Sequence, residues 1–216
     1  TVFRLKGSLP KEVVQRLKEE RTFAQQNLLK QGLSEKETKT ALSKMRRLYF
    51  GKFDALLDNI HTGPHFLKES EIAKIVIDAI MHFDEKRYKV IDYCIMSNHV
   101  HLIIKPKEGH NLPDILHSIK RHSASESNKY LERSGAFWQK ESYDHIIRDF
   151  QELVRQTDYI SKNVDYTSKL NQNGSIPHRL PDDYRDDIAA EVEIKSLESS
   201  STDHIGGFVV GIEGAD

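Results

Sequence analysis

Two apolar segments separated by a short polar break lie between Tyr88 and Pro106, and this stretch constrains the fold most strongly. After the break, polar and apolar residues alternate through His99-Val100-His101-Leu102, and a period of two predicts a β-strand. On such a strand His99 and His101 point to one face while the apolar residues point to the other. Because the two segments follow each other closely, we predict that they pair as a hairpin at the centre of a sheet.

The two histidines suggest a metal site, but they do not establish one. Two imidazoles on one face of a strand can direct two ring nitrogens at the same divalent ion. A His-x-His pair alone is a weak signal, because most such pairs arise by chance or lie on the solvated side of a sheet. Support has to come from elsewhere in the chain.

Length and composition indicate one elaborated domain of a soluble protein. The chain has 216 residues, of which 38% are hydrophobic and 30% charged. No apolar run approaches the ~18 residues of a membrane span, and the first residues contain no apolar signal-peptide core. The single cysteine, Cys94, excludes an internal disulfide. We expect a cytoplasmic protein without a membrane partner.

Charge is divided unevenly along the chain. Residues 171–216 contain three basic and ten acidic side chains, whereas residues 1–170 contain 29 basic and 23 acidic ones. A basic body suits a polyanionic partner, although charge does not identify the polyanion. We expect a folded domain over residues 1–165, followed by an acidic, polar C-terminal tail over residues 166–216.

Apolar periodicity and turn signals predict an alternating order of strands and helices. The predicted elements are a strand at 2–6, an inserted helical hairpin at about 11–57, a helix at 69–86, strands at 88–97 and 99–105, a helix at 113–132, an irregular strand at 137–148 and a helix at 149–164. Without the hairpin and the last helix, this order is βαββαβ. It predicts a ferredoxin-like or RRM-like α+β fold, with an antiparallel four-stranded sheet and helices on one face. The opposite face of the sheet would stay free for a site.

The final predicted helix carries two polar residues one turn apart. Its apolar stripe runs from Phe150 to Val164, and Tyr159 and Asn163 lie on the opposite side. Taken alone, Tyr159 could be a surface tyrosine and Asn163 a helix-end residue. Together with the two histidines, they form a group of four polar residues that can take part in catalysis.

Several strings resemble the REP-associated tyrosine transposases, a branch of the HUH single-tyrosine transposase superfamily. The strings are VFRLKGSLP, YCIMSNHVHLIIKP, ILHSIK, SGAFWQKESYDHIIRD and YISKN, and they cover most of the chain up to about Val164. One departure follows Asn163, where Val-Asp-Tyr-Thr replaces the proline and Ala-Gly pair common in the family.

The resemblance implies a metal-dependent endonuclease and strand transferase for single-stranded DNA. His99, His101 and Asn163 would be the metal ligands, and Tyr159 would attack a phosphodiester to give a 5′-phosphotyrosine and a free 3′-OH. Phenols ionise near pH ~10, so a Mg²⁺ or Mn²⁺ ion that polarises the phosphate would assist the attack. The implied substrate is single-stranded DNA with a hairpin, a REP-like palindrome, in the nucleoid. The protein would be a monomer or a homodimer.

Basic and aromatic residues near these motifs are candidate DNA contacts. They are Lys105, Lys107, Lys120, Arg121, Trp138 and Lys140. The basic side chains could bind backbone phosphates or only aid solubility, and Trp138 could stack on an unpaired base or belong to the core. His145 could be a further ligand or acid-base group, although a local hydrogen bond is the favoured interpretation.

Two other functions compete with the transesterase. A histidine-triad nucleotide hydrolase would need a third alternating histidine, but Ile103 occupies that position. A non-catalytic module of the same fold, which binds single-stranded DNA hairpins without cleaving them, is the alternative that the sequence leaves open.

Overall fold

A computed structural model of the protein describes residues 1–59 and 62–170, with side chains through Lys162. It divides into two compact units: one is Leu5–His65, and the other comprises Thr1–Arg4 with the chain from Phe66 onward. The predicted tail beyond residue 170 lies outside the described residues, as does the side chain of Asn163. Among the described residues, no helix has both the length and the apolar composition needed to cross a membrane.

The unit Leu5–His65 is a helical hairpin, as the sequence predicts. Its helices are α1 (Lys11–Leu29) and α2 (Glu35–Asn59). Gly32 adopts a left-handed φ of 64° in the connection. Ser34 and Glu37 then form a capping box: the Ser34 N–H donates to Glu37 Oε2 at 3.0 Å, and the Glu37 N–H donates to Ser34 Oγ at 3.4 Å. This reciprocal cap fixes the start of α2.

The larger unit is built on a four-stranded sheet with the order β2-β3-β1-β4. The strands are β1 (Val2–Leu5), β2 (Tyr88–Ile95), β3 (His99–Pro106) and β4 (Trp138–Tyr143). Both β1 and β2 pair antiparallel with β3, so the predicted hairpin of β2 and β3 is confirmed. Its predicted position at the centre of the sheet is wrong for β2, because β3 is central and β2 is an edge strand. This order is that of the ferredoxin-like arrangement, and the α+β prediction is confirmed.

The strand register assigns side chains to the two faces of the sheet. Arg4 lies opposite His99, and both Val2 and Cys94 lie opposite His101. Because directly opposed residues share a face, all of these point to one side, here called the histidine face. The intervening residues of β3, which are Val100, Leu102 and Ile104, point to the other side, here called the helix face.

Two helices cover the helix face: α3 (Ser70–Met81) and α4 (Leu112–Tyr130). The Tyr88 hydroxyl of β2 donates to the Ile80 carbonyl of α3 at 2.6 Å. The Trp138 indole N–H of β4 donates to Ser123 Oγ of α4 at 2.9 Å. Helices and sheet enclose an apolar core, with fully buried side chains that include Phe3, Ile72, Ile80, Leu102, Ile104 and Ile119.

The last helix, α5 (Phe150–Leu170), packs on the histidine face. Its residues Leu153 and Ile160 share an apolar cluster with Cys94 and Ile103 of the sheet. The prediction that this face stays free is therefore wrong, because α5 covers part of it. The helix also continues six residues beyond the predicted end at Val164, since residues 164–170 contain neither glycine nor proline to stop it.

Candidate catalytic site

His99 and His101 lie side by side on the central strand β3. Their Nε2 atoms are 2.9 Å apart, and their rings meet edge to face with centroids separated by 4.8 Å. Both side chains are buried, with 1% and 3% of their surface exposed. Alternation along the strand explains the shared face, and the mutual tilt of the rings brings the two Nε2 atoms together.

Burial keeps both imidazoles neutral. It lowers the pKa of His99 well below its ordinary value, with a further contribution from the nearby charge of His101. Burial also lowers the pKa of His101 to about 3. A neutral imidazole keeps one unprotonated ring nitrogen, which is the form that binds metal ions.

The geometry of the histidine pair fits a divalent cation. An octahedral ion with ligand distances of about 2.1 Å holds neighbouring ligand atoms about 3 Å apart. The 2.9 Å between the two Nε2 atoms matches two adjacent positions of such an ion. Imidazole nitrogen binds transition ions such as Mn²⁺ more readily than Mg²⁺, which favours oxygen ligands.

Tyr159 lies beside this pair in the same chain. Its ring centroid is 5.7 Å from that of His101, and the two planes are inclined by 71°. The prediction that Tyr159 lies on the side opposite the apolar stripe is wrong: the side chain is half-buried at the edge of the helix surface that meets the sheet. Ile160 anchors that surface, so the packing of α5 brings the phenol to the histidines.

Comparison with protein families identifies this region. Residues 65–163 match the family described as "Transposase IS200 like". This stretch is similar to the IS200-like transposases. Comparisons with curated proteins and with solved structures gave no significant match.

The four residues predicted to bind metal or to act as nucleophile all lie within the matched stretch, and Asn163 is its last residue. The structure describes the side chains of three of them, His99, His101 and Tyr159. The backbone of Asn163 continues α5 one turn beyond Tyr159. Its side chain is outside the described part of the structure, so its role as a third ligand stays a prediction. The assignment to the REP-associated branch also stays a prediction.

The start of the tyrosine helix is fixed by a local network of hydrogen bonds. Asp149 Oδ1 accepts from the Glu152 N–H at 2.7 Å, which caps α5. Glu152 in turn accepts from His145 Nε2 at 2.8 Å and from the Arg148 N–H at 3.0 Å. The local hydrogen bond favoured for His145 is thus confirmed.

Glu152 is a buried carboxylate that stays ionised. Burial by itself raises its pKa, but the hydrogen bonds from His145 and from the Arg148 backbone outweigh that effect and lower the pKa to about 2. Only 3% of Glu152 is exposed. Glu152 lies two turns before Tyr159 on the same side of the helix, so this network orients the helix that carries the phenol.

Two further polar residues of this region were assigned no role from the sequence. Asn98 is buried, and its Oδ1 lies 2.6 Å from His99 Nδ1. Arg4 is buried on β1 opposite His99; burial lowers the pKa of its guanidinium, and the charge of Glu141 acts in the opposite direction. Two features of the sequence could have pointed to them: Asn98 is adjacent to His99, and Arg4 is a charged residue inside an apolar strand.

The predicted DNA-contact lysines and arginine have different environments. Lys107 forms an ion pair with Glu85 at 2.9 Å, and Lys120 donates to the Lys140 carbonyl at 2.9 Å. Burial lowers the pKa of Lys120. Lys105 is half-buried, whereas Arg121 and Lys140 are exposed. Their roles as DNA contacts stay predictions.

Trp138 belongs to the core of the helix face. Its ring packs edge-on against Phe3 with centroids 4.9 Å apart, and 6% of the residue is exposed. Its only polar atom is satisfied by Ser123. Of the two roles left open for Trp138, the structure favours core packing, because a base cannot stack on a covered ring.

Proposed function

We propose that this protein cleaves and rejoins single-stranded DNA, with Tyr159 as the nucleophile. The IS200-like family is a transposase family, which supports DNA as the partner and strand transfer as the reaction. One observation carries the assignment to residues: the Tyr159 ring lies 5.7 Å from the His101 ring within one chain. This contact with a buried histidine pair distinguishes Tyr159 from an ordinary surface tyrosine.

The proposed reaction exchanges one phosphodiester for another. Tyr159 Oη attacks the phosphorus, an Oη–P bond forms, and the bond from phosphorus to the 3′ oxygen breaks. The phenol proton is released, and the departing 3′ oxygen takes up a proton to become a free 3′-OH. Because the 5′-phosphotyrosine conserves the bond energy, a later 3′-OH can reverse the step and rejoin strands without ATP.

The side chains prepare the site for this reaction in separate ways. His99 and His101 present neutral ring nitrogens that would hold Mg²⁺ or Mn²⁺, with Asn163 as a further ligand. A bound ion would supply positive charge against the phosphate oxygens. Leu153 and Ile160 fix α5 on the sheet, and that packing holds the phenol at the histidine pair.

The proposed substrate is a hairpin-forming, REP-like palindrome, and the proposed setting is the nucleoid. The resemblance to REP-associated transposases supports this choice, together with the excess of basic residues over residues 1–170. The proximity of Tyr159 and His101 within one chain supports action in cis by a monomer.

Covalent capture of DNA tests the proposal. The protein is incubated with Mn²⁺ and a hairpin oligonucleotide labelled at its 3′ end, and the adduct is resolved on a denaturing gel. The unmodified protein should retain the label, and Tyr159→Phe should abolish the adduct while hairpin binding is unchanged. Tyr130→Phe, which alters a half-exposed tyrosine of α4, is the matched control. An adduct that survives in Tyr159→Phe contradicts the assignment.

A mixing experiment tests action in cis. Tyr159→Phe and His101→Ala each lack one half of the proposed site, so neither should form the adduct alone. If each monomer uses its own residues, the mixture should also stay inactive. Adduct formation in the mixture would show that the tyrosine of one protomer serves the histidines of another.

A hairpin-binding module without catalysis is the second candidate. The burial of both histidines favours it, because the reaction needs a metal ion at the ring nitrogens and a phosphate beside that ion, and both have to enter the buried site. Under this alternative the unmodified protein binds the hairpin, yet it forms no adduct with either Mg²⁺ or Mn²⁺.

A further inference from the structure

We propose that Asn98 is a positioning residue, which fixes the tautomer of His99 so that its Nε2 carries the lone pair that binds the metal ion. The inference rests on the proposed function, in that it requires His99 to be a metal ligand. It adds a residue that acts through His99 and has no contact with the ion itself.

The contact between Asn98 and His99 is short and enclosed. Asn98 Oδ1 lies 2.6 Å from His99 Nδ1, and 1% of Asn98 is exposed. The backbone on either side is also held: the Met96 N–H donates to the His99 carbonyl at 2.9 Å, and the Leu67 N–H donates to the Ser97 carbonyl at 3.2 Å. The amide is therefore presented to the ring by a turn between β2 and β3 that these two backbone hydrogen bonds hold.

The chemistry of the amide oxygen determines which ring nitrogen carries the proton. A carbonyl oxygen can only accept a hydrogen bond, so His99 Nδ1 has to donate. A neutral imidazole has one ring proton, and with that proton on Nδ1 the lone pair is on Nε2. That Nε2 is the atom 2.9 Å from His101 Nε2. Asn98 thus directs the lone pair of His99 toward the proposed metal position.

The same tautomer accounts for the contact between the two histidines. With a lone pair on His99 Nε2, the His101 Nε2–H donates to it at 2.9 Å. Metal binding then requires a tautomer change only at His101, whose proton has to move to Nδ1. Histidine ligands in metal sites are commonly oriented in this way by a hydrogen bond to the second ring nitrogen, and loss of that partner typically weakens metal binding about 10–100-fold.

The opposite amide orientation makes the opposite prediction. If the Asn98 NH₂ group faced the ring, it would donate to Nδ1, the proton would lie on Nε2, and His99 could not bind a metal through that atom. Two substitutions of similar size separate the cases. Asn98→Asp offers only acceptor oxygens, and Asn98→Leu removes the hydrogen bond while it keeps the branched shape.

Metal titration of the full chain provides the test. Mn²⁺ binding is measured by the loss of the electron paramagnetic resonance signal of the free ion, and thermal unfolding reports whether each variant is folded. Asn98→Asp should bind Mn²⁺ at least as tightly as the unmodified protein, and Asn98→Leu about 10–100-fold more weakly. His101→Ala, which removes a proposed ligand, gives the reference for a lost site.

The outcomes separate this inference from the proposed function. Unchanged Mn²⁺ affinity in Asn98→Leu overturns the role of Asn98 and leaves the metal site intact. Weaker binding in Asn98→Asp than in Asn98→Leu overturns it as well. Absence of Mn²⁺ binding by the unmodified protein overturns both. If Asn98→Leu does not fold, nitrogen NMR of His99 in the unmodified protein decides: a proton on Nδ1 supports the inference, and a proton on Nε2 overturns it.

Discussion

The two faces of the sheet are buried by different means. On the helix face, β3 contributes only Val100, Leu102 and Ile104, which pack under α3 and α4. On the histidine face, the same strand contributes His99 and His101, and Arg4 lies beside them on β1. Adjacent residues of one strand thus enter the apolar core under the helices on one side. On the other side the two histidines lie on the face where Ile103 packs against α5.

The two faces therefore contribute differently to the stability of the protein and to the proposed reaction. Apolar side chains on the helix face contribute the transfer free energy of their buried surface. Buried polar groups on the histidine face cost free energy unless hydrogen bonds compensate for lost hydration. Such compensation is visible at His99, which contacts Asn98, and at Glu152, which accepts from His145 and Arg148. The histidine face thus carries the buried polar residues on which the proposed reaction depends.

The largest expected effect is a loss of stability when neighbouring residues on opposite faces of the sheet are truncated. Leu102→Ala and Ile103→Ala should each lower the free energy of unfolding by about 2–5 kcal/mol, because both side chains are buried. Only Ile103 shares the cluster with α5, so Ile103→Ala should also slow adduct formation per folded molecule. Urea denaturation and the adduct assay measure the two effects. Equal adduct rates in both variants would break the proposed separation between the faces.

The next effect concerns acid stability at the start of α5. The pKa of Glu152 is lowered from 4.5 to about 2 in the folded protein, so the unfolded chain takes up the proton first as the pH falls. Its contribution is present above pH 4.5 and is lost toward pH 2; the shift corresponds to about 3 kcal/mol. Urea denaturation at several pH values should show this loss, and it should be absent in Glu152→Gln. The exposed Glu108→Gln is the control, and equal pH profiles of both variants would contradict the assignment.

The smallest effect tests the core role of Trp138. Trp138→Phe removes the hydrogen bond to Ser123 and should cost about 1–2 kcal/mol of unfolding free energy. Hairpin affinity should not change, because the indole lies on the helix face. If affinity drops about tenfold or more while stability is preserved, the ring stacks on a base and the helix face takes part in DNA binding.

Local patterns predicted most of the elements. The alternation around His99 predicted β3, and apolar periodicity predicted the helical hairpin of α1 and α2. The prediction that Tyr159 lies on the exposed side of α5 was wrong because the buried surface of this helix extends beyond its apolar stripe. Glu152 is also buried there, since its hydrogen bonds compensate for its charge, and this widens the buried surface up to Tyr159.

The sequence by itself determined the strands, the helices and the residue types of the candidate site, because period, caps and turns depend on neighbours along the chain. Only the tertiary structure decided that α5 packs on the histidine face and that its phenol lies next to His101. That choice depends on contacts between residues far apart in sequence. No local periodicity predicts which face of the sheet a terminal helix will cover.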